Sequence, residues 1–173
     1  MEKNWSYKIT DPNHSKCGTT LWSGRYTAVV GVVIYYIYNK DKEYNDYYVL
    51  ANLRGPGTPD FQGFWNLPCG YLERNESGEE GVVREIHEEC GLKLDANDFK
   101  LYDVETDPVK SNNGNVSIRY ISIKEVKSLP ELNYININNE EGEVENVKWI
   151  NIKDIDTYKW AFNHCDLIKK LFI

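Results

Sequence analysis

Histidine is scarce in this chain, three in 173 residues, and the four cysteines (Cys17, Cys69, Cys90, Cys165) lack the close paired spacing of a zinc ribbon or a redox site. One four-ligand arrangement remains, His14 and Cys17 meeting the neighbours His164 and Cys165, but its spacings are irregular. The thiols read instead as small buried hydrophobes. Long apolar runs are missing too. The longest, Ala28 to Tyr38, has 11 residues and contains Gly31 and three tyrosines, against the roughly 20 residues a bilayer-spanning helix needs. The opening MEKNWSYKITDP has no apolar centre of the kind a secretion signal carries, so a cytoplasmic location with reduced thiols is expected. Nor is there a cationic surplus: 20 Lys plus Arg against 27 Asp plus Glu leave a formal charge of −7, which argues against general affinity for nucleic acid or anionic lipid.

What is present is the composition of a folded domain, 41% hydrophobic and 27% charged, without repeats or low-complexity tracts. Residues 1–24 read as an irregular entry segment and 25–173 as one folded domain. Tyr26 to Tyr38 is rich in β-branched and aromatic residues, as a strand covered on both faces would be, and Tyr47 to Leu53 repeats that character; the two pair as a hairpin across Asn39 to Asp46. Three prolines and three glycines between Arg54 and Pro68 predict a shaped loop without regular structure. Further strands are expected at Phe99–Glu105, Val116–Val126 and Val144–Ile150. A closing helix is expected over Thr157–Phe172, where Ala161, Cys165, Ile168 and Phe172 make one apolar stripe. The order β, β, α, β, β, β, α predicts an α/β fold, a mixed sheet clamped between helices.

The first helix carries the chemistry. Ser77 is a good N-cap, Glu80 completes a capping box, and Gly91 can end the helix after Cys90. Within it Glu85, Glu88 and Glu89 fall at i, i+3 and i+4, so three carboxylates share a sector. Like charges at that spacing repel by a few tenths of a kcal/mol per pair, so the sector is either highly solvated or holds a cation. Val82, Val83, Ile86 and Cys90 form an apolar sector to one side, which lets the helix be buried while the acids open to a cleft. Gly78 and Gly81 lie on the acidic side and give a preceding loop room to cross.

From Gly70 the chain reads Gly, five residues, Glu76, seven residues, Arg84-Glu85, Ile86, His87, Glu88-Glu89, Cys90, Gly91 and Leu92. This is similar to the Nudix box at every specified position, with Trp65-Asn-Leu-Pro68 ahead of it and Trp149 in a late strand; the resemblance spans about Tyr26 to the C-terminus. It implies a Nudix-type α/β/α sandwich and a hydrolase that cleaves the diphosphate of a nucleoside diphosphate linked to another group, using Mg²⁺ or Mn²⁺. Seven glutamates against Arg74 and Arg84 between Gly70 and Leu92 would repel a pyrophosphate unless divalent ions intervened, and oxygen-only donors suit those ions. By resemblance, Glu85, Glu88, Glu89 and the carbonyl of Gly70 are metal ligands, with Glu85 also a candidate base. Arg84 and Glu76 form a structural ion pair on the same reading. Alternatively the base comes from the acidic stretch 139–145, with Glu143 first, though such a run also reads as a solvated turn. Cys69 and Gly81 depart from the family's usual glycine and alanine.

Substrate choice belongs to the loops. Tyr26, Phe61, Phe64, Trp65 and Tyr71 are near the expected cleft and could stack on a base, Phe64 being taken as the substrate-binding candidate. Arg54 either reaches a phosphate or caps a turn. ADP-ribose-cleaving members are similar in carrying a proline some fifteen or sixteen residues past the box, where Pro108 stands. ADP-ribose or a related nucleotide sugar is therefore the leading substrate expectation, a small nucleoside diphosphate derivative and not nucleic acid, with a homodimer possible as in related enzymes. The alternatives are a nucleotide-sensing domain without turnover, and a hydrolase of (d)NTPs or capped RNA.

Overall fold

The computed structural model describes residues 8–9, 21–22, 26–41, 43–107, 109–110, 114–133 and 142–172. Two short strands near the start, β1 (Lys8–Ile9) and β2 (Leu21–Trp22), pair antiparallel with each other. The body is a seven-stranded sheet built on two long strands, β3 (Thr27–Asn39) and β4 (Tyr44–Arg54). These form the expected hairpin, with a tighter connection than Asn39–Asp46 because Asn39 still pairs with Tyr44.

Beyond Ile34↔Val49 the two long strands part. Each takes a new neighbour from the end of the proline-rich segment or just past it: β5 (Trp65–Asn66) pairs with Asn52 and Leu53 of β4, and β6 (Cys69–Tyr71) pairs with Ala28 to Val30 of β3. The expectation that 54–68 lacks regular structure is thus corrected at Trp65–Asn66. Trp65 and Asn66 are the pairing residues, and the prolines flank those positions without occupying them.

The sheet is mixed. After β7 (Lys100–Glu105), β8 (Val116–Glu125) runs parallel to β3 from Thr27↔Val116 to Tyr36↔Glu125, and β9 (Val144–Asn151) lies antiparallel to β4. Helix α1 (Gly78–Cys90) covers one face, its Val82, Ile86 and Cys90 packing on Val29, Val33 and Leu50. The other face buries Val30, Val32, Ile34 and Val49 under Ile155, Leu167 and Ile168. The expected α/β/α arrangement and the two-sided burial of β3 are both present.

The closing helix is much shorter than the stripe predicts. A 3-10 turn spans Ile152–Thr157, and the only helix after it among the described residues is α2 (His164–Lys169). Between them the backbone is already committed: Trp65 N–H donates to Lys159 O at 2.8 Å, Ala161 N–H donates to Trp65 O at 2.8 Å, and Phe162 adopts a φ of 55°. Backbone bonded to β5 cannot also form helical bonds, so the helix starts only after Asn163. Ala161 and Ile168 are buried as expected, whereas Phe172 lies past the helix, 42% exposed, with its ring edge on Tyr47. No helix among the described residues is long and apolar enough to cross a membrane.

Candidate active site

Helix α1 begins and ends where its sequence signals stand. Ser77 accepts from the Glu80 amide, the Glu80 side chain accepts from the Ser77 amide, and Gly91 closes the helix in the left-handed region at φ 71°. Its glycines have different neighbours. A Cβ at Gly81 would lie 3.0 Å from both Glu76 Oε1 and Leu72 Cδ1, so the preceding loop does cross there. At Gly78 the crowding comes from β8, where a Cβ would sit 2.0 Å from the Tyr120 hydroxyl oxygen.

Glu85, Glu88 and Glu89 line a cavity of about 640 Å³ that lies where β3 and β4 diverge. Gly70 is pressed against the acids: a Cβ there would fall 2.1 Å from Glu85 Oε1, so any other residue would displace that carboxylate. Arg84 organises the cluster. Its Nε donates to Glu76 Oε2 at 3.0 Å and its Nη2 to Glu76 Oε1 at 2.8 Å and to the Tyr71 carbonyl at 3.0 Å. Its Nη1 donates to Glu85 Oε1 at 2.7 Å and Glu88 Oε2 at 2.9 Å. The Arg84–Glu76 pair expected from sequence is therefore formed, and it ties the loop after β6 to the helix.

The acids differ in their surroundings. Hydrogen bonding to Arg84 holds the Glu76 carboxyl below the usual range. Burial pushes the Glu85 carboxyl up, partly opposed by Arg84. Glu89 is raised further, by burial and then by the charge of Glu85, although its carboxylate accepts from the Cys69 amide at 2.9 Å. Cys69 sits in β6 with a φ outside the left-handed region, so a side chain is accommodated ahead of Gly70, and burial raises its thiol out of the reactive range.

No three His, Cys, Asp or Glu side chains among the described residues converge as a finished metal cage, because Arg84 already engages Glu85 and Glu88. The donor set nevertheless fits a hard divalent cation. It is oxygen only, Glu85 is buried and Glu89 half-buried with both carboxyls raised, and the Gly70 backbone lies against Glu85 with no side chain between.

The remaining candidates divide. Glu143 lines the cavity and its charge is felt by Glu89. Arg54 lines it as well and also fixes its turn, Nε donating to Asp60 O at 3.0 Å and Nη2 to Asp60 Oδ1 at 2.6 Å. Phe64 is not part of the lining; its ring packs edge-on against Phe61, which packs in turn on Phe162. Of the other aromatics singled out, Tyr71 lines the cavity, with Tyr26 at 5.3 Å, whereas Trp65 packs under the sheet. Pro108, His14 and Cys17 lie outside the described residues. His164 is buried with Nδ1 accepting from the Leu67 amide at 3.0 Å, so that nitrogen is no zinc ligand, and burial lowers its pKa to about 3. Sequence reading missed Asn52, Arg119 and the 162–164 segment, which also line the cavity. The available signal was polarity inside apolar strands, Asn52 in VLANL and Arg119 in SIRYISI.

A family model described as NUDIX domain matches residues 27–171. Among solved structures, a MutT/nudix family protein from Enterococcus faecalis is 22% identical with a TM-score of 0.68, over 93% of this chain and 66% of that one. The NUDIX domain of Shewanella oneidensis NrtR, cocrystallised with ADP ribose, is 20% identical with a TM-score of 0.69, over 95% and 97%. A bifunctional NMN adenylyltransferase/ADP ribose pyrophosphatase from Francisella tularensis, complexed with AMP and a Mn ion, is 24% identical with a TM-score of 0.66, over 87% and 42%. The chain thus spans less than two thirds of the Enterococcus protein and under half of the Francisella one.

Proposed function

The chain belongs to the Nudix family, and from that premise we propose that it hydrolyses a nucleoside diphosphate linked to a further group, ADP-ribose or a related nucleotide sugar in the first instance. The observation that carries this reading is the cavity itself, which sets the acids of α1 on one wall and leaves about 640 Å³ beside them. Glu85, Glu88, Glu89 and the Gly70 carbonyl would hold Mg²⁺ or Mn²⁺. Such an ion, when bound, neutralises phosphate oxygens and acidifies a coordinated water.

The protein's own groups do the rest. Arg84, held by Glu76, keeps Glu85 and Glu88 in register and supplies a counter-charge that hands them over when a cation enters. Either Glu85 or Glu143 accepts the proton of the attacking water; both line the cavity. Arg54, already oriented by Asp60, presents its guanidinium on the same wall system.

A second reading is favoured by the likeness to the NUDIX domain of NrtR, which was crystallised with ADP ribose: a domain that binds such a ligand without turning it over. A screen of ADP-ribose, nucleotide sugars and (d)NTPs with Mg²⁺ and with Mn²⁺, reading phosphate after phosphatase coupling, separates the two. Release from the diphosphate sugars supports hydrolysis; tight binding with no release supports the sensor; neither defeats both.

A further inference from the structure

Past the end of β4 the chain turns tightly through residues 55–60, and the segment entering β9 is fastened to that turn by its backbone. The pairing of β4 with β9 slips by one residue at this end, from Leu53↔Asn146 to Arg54↔Val144. Beyond the slip the Gly55 amide donates to Glu143 O at 2.7 Å and the Gly57 amide to Gly142 O at 2.9 Å. So close an approach needs the missing side chain. A Cβ on Gly55 would stand 2.1 Å from Gly142 O and 3.3 Å from the Glu143 carbonyl carbon, and these are backbone atoms that cannot swing aside as a flexible side chain would.

The turn is also braced from within. Thr58, 7% exposed, donates to Gly55 O from its amide at 3.2 Å and from its hydroxyl at 2.8 Å. The Gln62 side chain donates to Pro56 O and to Thr58 O, each at 2.9 Å, and Arg54 Nε donates to Asp60 O at 3.0 Å. Side chains thus hold the carbonyls of Gly55, Pro56, Thr58 and Asp60 together.

Two cavity groups depend on this turn. Arg54 stands at its start and Glu143 is bonded across it, and both line the cavity with Glu85 and Glu89. Glu85 accepts from Arg84 and lies against Gly70, within the donor set assigned to the cation, whereas Glu143 comes from a separate segment just ahead of β9. A proton acceptor must stand within hydrogen-bond reach of the attacking water, and a misplacement of about 1 Å can cost on the order of 100-fold in rate. The amides of Gly55 and Gly57 fix the backbone on which the Glu143 side chain stands.

Resting on the diphosphate reading above, with Glu143 as its proton acceptor, we propose that Gly55 and Gly57, braced by Thr58, are positioning residues that set where the Glu143 carboxylate stands in the cavity. The two glycines act through Glu143 and touch neither substrate nor cation.

The test is a double-mutant cycle on the full chain, with kcat and KM measured for ADP-ribose, or for the nucleotide sugar the screen above selects, in Mg²⁺. Glu143→Gln should lower kcat by about 100-fold or more. Gly55→Ala should lower kcat by about 10-fold or more with KM little changed, and in the Glu143→Gln background should lower it by less than about 2-fold, since the group it misplaces is already gone. Thr58→Val, which loosens the turn without filling it, should act the same way at about 3-fold or more, the scale of one hydrogen bond, and carries the comparison if Gly55→Ala does not fold. An equal fall in both backgrounds, or a raised KM at unchanged kcat, would mean that the turn serves the fold or Arg54, and would overturn the proposal. Normal turnover by Glu143→Gln would overturn it alone, leaving Glu85 as the proton acceptor. If the wild type cleaves none of the diphosphate sugars, the diphosphate reading falls and takes the positioning role with it.

Discussion

Glu85, Glu88 and Glu89 are identical side chains in three environments, and their variants should separate accordingly. Glu89 is half-buried and raised in pKa, with a bond from the Cys69 amide that a glutamine oxygen can also accept. Glu89→Gln should therefore lower turnover by on the order of 100-fold or more while the melting temperature holds or rises, because a half-buried charge is removed and its hydrogen bond kept. Glu85→Gln should lower turnover similarly. Normal hydrolysis by both variants with Mg²⁺ present would remove these residues from the site. Arg84 is expected to behave in the opposite way. It bonds to three glutamates and to the Tyr71 carbonyl, so Arg84→Ala should cost about 1–3 kcal/mol in urea unfolding as well as activity. Unchanged unfolding would count against its holding role. These positions were legible in the sequence because the box compresses them into 23 residues, Gly70 to Leu92, on one loop and one helix. Asn52, Arg119 and Asn163 were not, because they meet only once β4, β8 and the segment before α2 are assembled.

At the scale of elements, α1 was readable to its caps because its signals are local, the Ser77–Glu80 box and the left-handed Gly91. Strands β5 and β6, two and three residues long, carry no periodic signal, and the closing helix lost its first half to bonds with Trp65 that no helical pattern can foresee. The short α2 is held from its first residue, where neutral His164 accepts from the Leu67 amide. Protonation would destroy that acceptor and place a cation near Arg119 and Arg54. With a pKa near 3 in the fold against 6.5 unfolded, the unfolded chain binds the extra proton first, so this contribution is intact above pH 6.5 and is lost as pH falls toward about 3. Urea unfolding across that window should show wild-type stability dropping by up to about 1.4 kcal/mol per pH unit relative to His164→Asn, which keeps an acceptor but does not titrate. Parallel pH profiles would mean His164 is already protonated or exposed. A second element-scale expectation concerns the contact between α1 and β8: Gly78→Ala would drive a methyl into the Tyr120 hydroxyl and should lower stability by about 1–3 kcal/mol.

The whole molecule is a sheet that forks. The pairing of β3 with β4, from Ile34↔Val49 to Asn39↔Tyr44, joins the two strands, and both helical layers pack mainly on the residues next to it, Val29 to Ile34 and Val49 to Ala51. Where the two strands part, β5 and β6 pair with the separated strands, and the acids of α1 line the opening together with Arg54, Asn52 and Arg119. The β-branched and aromatic runs and the apolar helix faces announced the layers, but the fork depends on which strand each short segment joins, a choice made by long-range pairing. The proposed activity depends on cation binding at that opening. The most direct measurement is therefore Mn²⁺ uptake by the intact protein, followed by the paramagnetic resonance of the free ion, in the wild type and in a Glu85→Gln/Glu89→Gln double variant whose melting is checked alongside. The account predicts saturable uptake by the wild type and its loss in a variant that remains folded. Equal uptake by both proteins, or none by the wild type, would contradict it.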